Sequence, residues 1–360
     1  MLRLLARAVT GVVRGRFGRV ITVGTGATAL GLAGLVTAFP AGAASAASSV
    51  APVAPVAPVS SVSSAAGATA AALPPPASAL QEITGFAPNP TSLRMFLYVP
   101  RHVRPHPAIV VALHYCGGSG PAFFNGTEFA SLADQYGFIV IYPSVTRTSL
   151  VCFDVSTPGA LTRNGNSDPV GIVSMVRWAQ RNLHADRNRV FATGISSGAM
   201  MTNVLLGDYP DVFKAGSAMS GVPFGCFATT DGSLWNSACA NGTITKTPEQ
   251  WGDLVRAADP GFRGPRPRMQ LWHGTADTIL FYPNFGEEVK EWTDVLGARL
   301  ASTDHPQPTW THTVYRDWTG RVAVDAYSVA GEDHNLGFHF PDWAQLAIQF
   351  FGLTGDHGDG

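Results

Sequence analysis

The run Gly194-Ile195-Ser196-Ser197-Gly198 fits the pattern G-x-S-x-G. Its setting gives that pattern meaning. Arg189-Val190-Phe191-Ala192-Thr193 reads as a strand and Ser197 to Leu206 as a helix, so Ser196 falls on the turn between them. A sharp strand-to-helix turn lifts a serine hydroxyl above a sheet, and glycines two positions to either side let neighbouring backbone pass close by. A serine hydroxyl is a weak nucleophile and needs a general base, itself oriented by an acid. The chemistry expected is acyl transfer through a covalent serine intermediate.

On sheets that carry such a turn, the order along the chain is serine, acid, histidine. The histidines downstream are His273, His305, His312, His334, His339 and His357. His273 ends a strand too early to follow an acid, His305 lies in a polar loop before the last strands, His312 begins a strand, and His357 lies in a polar tail. His334 follows the strand Val322 to Val329 and precedes the last helix, the place for the base, with His339 as the alternative. The acid belongs on the loop after the strand Met269 to Trp272, where His273-Gly274-Thr275-Ala276-Asp277 supplies Asp277. Asp277 would serve equally as the N-cap of the next helix. Two backbone donors are needed for a tetrahedral oxyanion. The Ser197 amide opens the nucleophile helix, and the second comes from His114-Tyr115-Cys116-Gly117-Gly118, with Cys116 preferred and Tyr115 the alternative. His114 itself reads as a buried structural imidazole.

These residues need a sheet to hold them. Arg94 to Val99, Ala108 to Leu113, Phe138 to Tyr142, Ala215 to Met219 and His312 to Tyr315 read as further strands, and 108–113 is apolar throughout, as a central strand is. Helices are expected over Phe129 to Tyr136, from an Asp168 N-cap with Pro169 behind it, over Glu287 to Leu296, and over Trp343 to Phe351. Alternating strands and helices imply an α/β domain with a mostly parallel sheet covered on both faces.

The leader differs in kind. Five arginines and no acid precede an apolar stretch from Val20 to Phe39 and a run of small residues, and Val20 to Gln81 carries no formal charge over 62 residues. This is the layout of a secretory signal cut after Ala46, with Ala43 as competitor. Residues 47–79 form an Ala/Pro/Val/Ser linker without the large side chains a core needs, 80–353 the catalytic domain and 354–360 a polar tail. Cys116, Cys152, Cys226 and Cys239 suit an exported chain with two disulfides in one of three connectivities. Pairing of sequence neighbours would close loops of about 36 and 13 residues. Their spacing fits no zinc site. A net charge of −1 excludes a nucleic-acid binder driven by bulk charge.

The stretches L-H-Y-C-G-G-S-G, A-D-Q-Y-G-F-I-V-I-Y-P-S, T-G-I-S-S-G-A-M-M-T-N-V, Y-P-D-V-F-K-A-G-S-A-M-S-G-V and R-P-R-M-Q-L-W-H-G-T-A-D, with G-C-F, L-W-N-S-A-C-A and T-P-E-Q-W between the last two, resemble the acetylxylan and feruloyl esterases of carbohydrate esterase family 1. That family is related to the polyhydroxybutyrate-depolymerase-type esterases. The resemblance spans about 80–340. It implies an α/β-hydrolase fold, a Ser-Asp-His triad on Ser196, Asp277 and His334, and a tryptophan beside the substrate on Trp235, a residue that packing near Cys226 and Cys239 would also explain. Tyr115 is expected to join Trp235 in contacting substrate. The chain departs from the family at Cys152-Phe153-Asp154, where Cys-Trp-Asp is common. The expectation is a secreted, extracellular, monomeric serine esterase that needs no metal or organic cofactor, binds no nucleic acid, keeps no stable membrane association once its signal is cut, and removes acetyl groups from xylan. The alternatives are a feruloyl esterase, a polyester depolymerase, or a non-catalytic wall-binding protein on the same fold.

Overall fold

The computed structural model describes residues 78–340 and 342–355. The signal reading over 1–46, the linker reading up to residue 77 and the tail from residue 356 lie outside the described residues.

Among the described residues one sheet contains β1 (Gln81–Ile83), β2 (Arg94–Tyr98), β3 (Ile109–Leu113), β4 (Ile139–Ser144), β5 (Val190–Ile195), β6 (Ala215–Met219), β7 (Arg268–Gly274), β8 (Arg299–Asp304), β9 (Trp310–Arg316) and β10 (Val322–Val329). Their order is β1-β2-β4-β3-β5-β6-β7-β10-β9-β8. The stretch β4-β3-β5-β6-β7-β10 is parallel, and antiparallel strands extend it on each side. Parallel strands need crossovers, and segments between strands supply the covering helices α1 (Gly120–Gly126), α2 (Phe129–Tyr136), α3 (Asp168–Asn182), α4 (Ser197–Asp208), α5 (Ser237–Ala240), α6 (Pro248–Ala258) and α7 (Pro283–Leu296), while α8 (Leu336–His339) and α9 (Trp343–Phe350) follow the last strand.

The alternation of β3 shows how both faces are filled. Ile109, Val111 and Leu113 join a core with α3, α4, α6 and α7, while Val110 and Ala112 join one with α1, α2, α8 and α9. All residues of β3, β5 and β6 are buried, so these central strands show no polar face. Helix α4 is buried along its whole length, which is why it lacks an amphipathic stripe.

Several boundaries differ from the sequence expectation. The cap of α3 is Ser167, and Asp168 is its first residue, with a carboxylate that accepts from Arg147 and from the Asp154 amide. Helix α7 starts at Pro283, four residues before Glu287. Helices α1 and α6 and strand β8 were not anticipated. The signal for α6 is local: Thr247 and Gln250 form a reciprocal capping box around Pro248. Strand β8 has no apolar alternation to find, because every residue in it is exposed at the sheet edge.

Candidate active site

The carboxyl ends of β3, β5, β7 and β10 converge, and each delivers one component of the site. Ser196 follows β5 and has φ +57° and ψ −117°, a strained conformation for a residue with a side chain. Surrounding structure enforces it. The Ser196 amide donates to Met219 of β6 at 2.9 Å, and its carbonyl accepts from Met200 in α4 at 2.9 Å. A Cβ on Gly198 would run into the carbonyl of Leu113, so α4 packs against β3 only because that position is glycine.

His334 lies on the loop after β10. Its Nδ1 is 2.7 Å from Asp277 Oδ2, and its Nε2 is 2.9 Å from Ser196 Oγ. A carboxylate only accepts, so Nδ1 carries the proton and Nε2 offers its lone pair to the serine hydroxyl. Asp277 comes from the loop after β7. Its Oδ1 accepts from the amides of Ile279 and Leu280 at 2.9 and 3.0 Å, which fixes the carboxylate plane. It does not cap α7, whose N-cap position is Tyr282. Burial works to raise the Asp277 carboxyl, but hydrogen bonds from His273 and His334 outweigh it and hold the group well below the usual carboxylate range. The acid loop and the base loop touch at Gly274, where a Cβ would overlap the carbonyls of Glu332 and Asp333. His339, the alternative base, pairs with Glu332 at 2.7 Å and is exposed.

His273 was set aside as a base on sequence order, and its part in the site was missed. It is fully buried, and its Nε2 donates to the Leu280 carbonyl at 2.8 Å while lying 3.2 Å from Asp277 Oδ2. The acid is thus gripped by two imidazoles. The visible signal was the four-residue spacing in His273-Gly274-Thr275-Ala276-Asp277.

Helix α4 opens at Ser197, whose hydroxyl accepts from the Phe153 amide at 2.7 Å. Its amide has no intrahelical acceptor, and the helix N-terminus adds partial positive charge beside Ser196. Across from it runs the loop after β3. Cys116 is bonded to Cys152, and Cys226 to Cys239, so the sequence-neighbour pairing holds. The Gly117 and Gly118 amides are committed to the carbonyls of Val151 and Tyr115. His114 is buried, donates from Nδ1 to the Tyr115 carbonyl at 2.6 Å and accepts the Val145 amide on Nε2. Burial, with the Arg147 charge adding to it, lowers its pKa to about 4 and keeps the ring neutral. His114 therefore pins the loop, as a structural imidazole does.

A cavity of about 530 Å³ opens over Ser196 and His334, walled by Tyr115, Cys116, Trp235, Ile279, Asn335 and Phe338. Tyr115 and Trp235 were expected there. Ile279, Asn335 and Phe338 were not, although each lies within four residues of Asp277 or His334. Trp235 is held edge-on against Phe227, and Tyr115 against Phe338. Phe153, in the segment that departs from the resemblance, is buried against His114 and does not reach this cavity. Among the described residues no cluster of metal-ligating side chains exists.

The family described as Esterase PHB depolymerase matches residues 93–234. Feruloyl esterase B of Talaromyces stipitatus is 42% identical over 284 residues, 78% of this chain and 77% of that protein. A probable acetylxylan esterase A of Aspergillus fumigatus is 41% identical over 281 residues, 78% and 74% of the two chains. The solved acetyl xylan esterase from Aspergillus awamori superposes with a TM-score of 0.72 at 39% identity, over 77% of this chain and 100% of that one. The α/β-hydrolase fold and the long sequence match agree, and the chain belongs to this family of acetylxylan and feruloyl esterases, a group of serine carboxylic-ester hydrolases.

Proposed function

We propose that the protein is exported, loses its leader at residue 46, and acts outside the cell as a monomeric esterase that releases acetyl groups from xylan, with the 47–79 segment as a spacer. The observation that carries the catalytic part is the Asp277–His334–Ser196 hydrogen-bond chain at the floor of an open cavity. Ser196 Oγ attacks the ester carbonyl while His334 Nε2 takes its proton, and Asp277 stabilises the imidazolium that results. The oxyanion is held by the Ser197 amide and a second amide, that of Cys116, on the loop His114 pins. Collapse sends the proton from His334 to the departing sugar alkoxide and leaves an acetyl-serine. Water, deprotonated by His334, then releases acetate and restores Ser196. Proton and electron pair are conserved without a cofactor.

The acetyl preference rests on the acetylxylan esterase relatives. The feruloyl reading is favoured by one observation: three aromatic side chains, Tyr115, Trp235 and Phe338, wall the cavity and would flank a cinnamoyl ring. Rates of acid release from acetylated xylan and from methyl ferulate separate the two. Fast acetate release with slow ferulate release supports the proposal, and the reverse ratio replaces it with the feruloyl reading.

A further inference from the structure

The amino ends of the parallel strands, at the opposite edge of the sheet from Ser196, carry a second recess. A cavity of about 420 Å³ is lined by Arg189, Lys214, Arg266, Arg268 and Arg321, each within two residues of the start of β5, β6, β7 or β10. No carboxylate lines it. Among the described residues, none of these five cations forms an ion pair, although positive and negative residues are nearly balanced over the chain, 24 against 25. Asp259 acts electrostatically on Arg266, and Asp317 and Asp325 on Arg268, but none of the three forms an ion pair with them. Asp259 accepts from Arg163, Asp317 from Thr319 and the Arg321 amide, and Asp325 from His312 and Gln270. Arg266 Nη1 and Arg268 Nε are buried with no hydrogen-bond partner. An unpaired buried guanidinium nitrogen is costly unless something accepts from it. Arg268 donates from Nη1 and Nη2 to the carbonyls of Val322 and Phe350, and burial, reinforced by the charge of Arg321, lowers it to about 10, so an incoming anion would favour its charged form.

The recess continues, through Pro265 and Arg266, into a groove of about 660 Å³ that includes Phe262, Arg263 and Trp318. Trp318 sits on the turn between β9 and β10 with 92% of its surface exposed. The groove also contains the Asp317 carboxylate beside Trp318 and the ion-paired Arg256, so the cations without an ion pair are those of the recess. A bare indole next to that recess suits a ligand with both an apolar ring face and a carboxylate.

We propose that this recess and groove form an anionic-glycan site that takes uronic-acid-bearing segments of a polysaccharide, with the carboxylate among Arg189, Arg266, Arg268 and Arg321 and a neighbouring sugar face on Trp318. The choice of a glycan rests on the polysaccharide substrate proposed above. Strand β7, seven residues long, separates the two edges of the sheet by about 20 Å, so this site anchors the enzyme to the polymer and takes no part in the chemistry.

Binding of the full chain to deacetylated glucuronoxylan tests this, compared with the same polymer after its carboxylates are reduced to alcohols. The variants are Arg189→Gln/Arg321→Gln and Trp318→Ala, with exposed Arg299→Gln on β8 as a control for general charge. The double variant is expected to bind glucuronoxylan at least about tenfold more weakly, Trp318→Ala about threefold more weakly, and Arg299→Gln as tightly as the parent. The reduced polymer should bind the parent no better than glucuronoxylan binds the double variant. Hydrolysis of a soluble acetyl ester should be unchanged in all of them, which shows that they fold. Equal binding of both polymers, or equal binding by all variants, overturns the proposal. So does tighter binding of duplex DNA by the same residues, or binding of inorganic phosphate there with no polymer binding at all. The catalytic reading fails separately: no acetate release from acetylated xylan would remove that reading, while a carboxylate-dependent loss of binding would leave this site standing.

Discussion

Asp277 is the residue on which the site geometry turns, because three hydrogen-bond donors meet on its carboxylate and His273 Nε2 lies 3.2 Å from it. The His273 imidazole is the donor that sequence order hid. It meets no substrate and acts through Asp277, so it is a positioning residue. His273→Leu is expected to lower kcat by about tenfold or more with little change in KM, because misplacement of the acid misaligns His334. His273→Gln, which returns an N–H near the Nε2 position, should recover part of that loss. Steady-state kinetics on a soluble acetyl ester checks both, and equal loss in the two variants would mark His273 as a packing residue only. That Ser196, Asp277 and His334 would come together was legible from residue type and order, since each follows a recognisable strand. His273 was not, because its contribution depends on Leu280 and Asp277 folding back over it.

At the scale of elements, the loop after β3 is tied down twice, by the Cys116–Cys152 bond and by His114. The disulfide closes 36 residues, for which loop-closure entropy gives about 4 kcal/mol. The double variant Cys116→Ser/Cys152→Ser should therefore unfold at clearly lower temperature. It should also lose kcat, because the Cys116 amide is proposed to face the oxyanion. The pair Cys226→Ser/Cys239→Ser closes only 13 residues, is worth about 3 kcal/mol, and should cost stability while sparing kcat. Calorimetry with kinetics separates the two, and equal kcat loss in both pairs would contradict the oxyanion assignment. Elements with apolar periodicity, such as β3 and α3, were readable from the sequence. Strand β8 was not, since its exposed residues gain their strand geometry from pairing with β9 and from no burial of their own. The start of α7 was hidden for another reason: its first turn, Pro283-Asn284-Phe285-Gly286, contains both proline and glycine.

Among the described residues, the sheet separates two cores, and the one under α4 and α7 contains acids. Glu288 and Glu291 are buried, accepting from Asn203 and from the Phe224 amide. Burial raises Glu288 to about 8, and burial together with the neighbouring Glu288 raises Glu291 well above its usual range. A carboxyl with a raised folded pKa binds more protons folded than unfolded. Its contribution is fully present below about 4.5 and is lost as pH rises through about 8. Glu288→Gln should thus melt higher than the parent at pH 8, and the difference should shrink as pH falls toward 4.5. Thermal melts across that range check it, and a constant difference would mean that Glu288 is already ionised. The α/β architecture with a mostly parallel sheet was legible because strands and helices alternate, and the α/β-hydrolase fold was what the family resemblance implied. The buried acids were not, because a glutamate on a helix reads as a solvent-facing residue until α4 is seen to cover it.

The proposed mechanism requires Ser196 to become acylated. Acid-quenching the enzyme during turnover of an acetyl ester, followed by peptide mass mapping, measures this directly. One added acetyl group is expected on the peptide containing Ser196, absent from Ser196→Ala, with acetate release in that variant lost almost completely. An acetyl group on another residue, or full acetate release by Ser196→Ala, would contradict it.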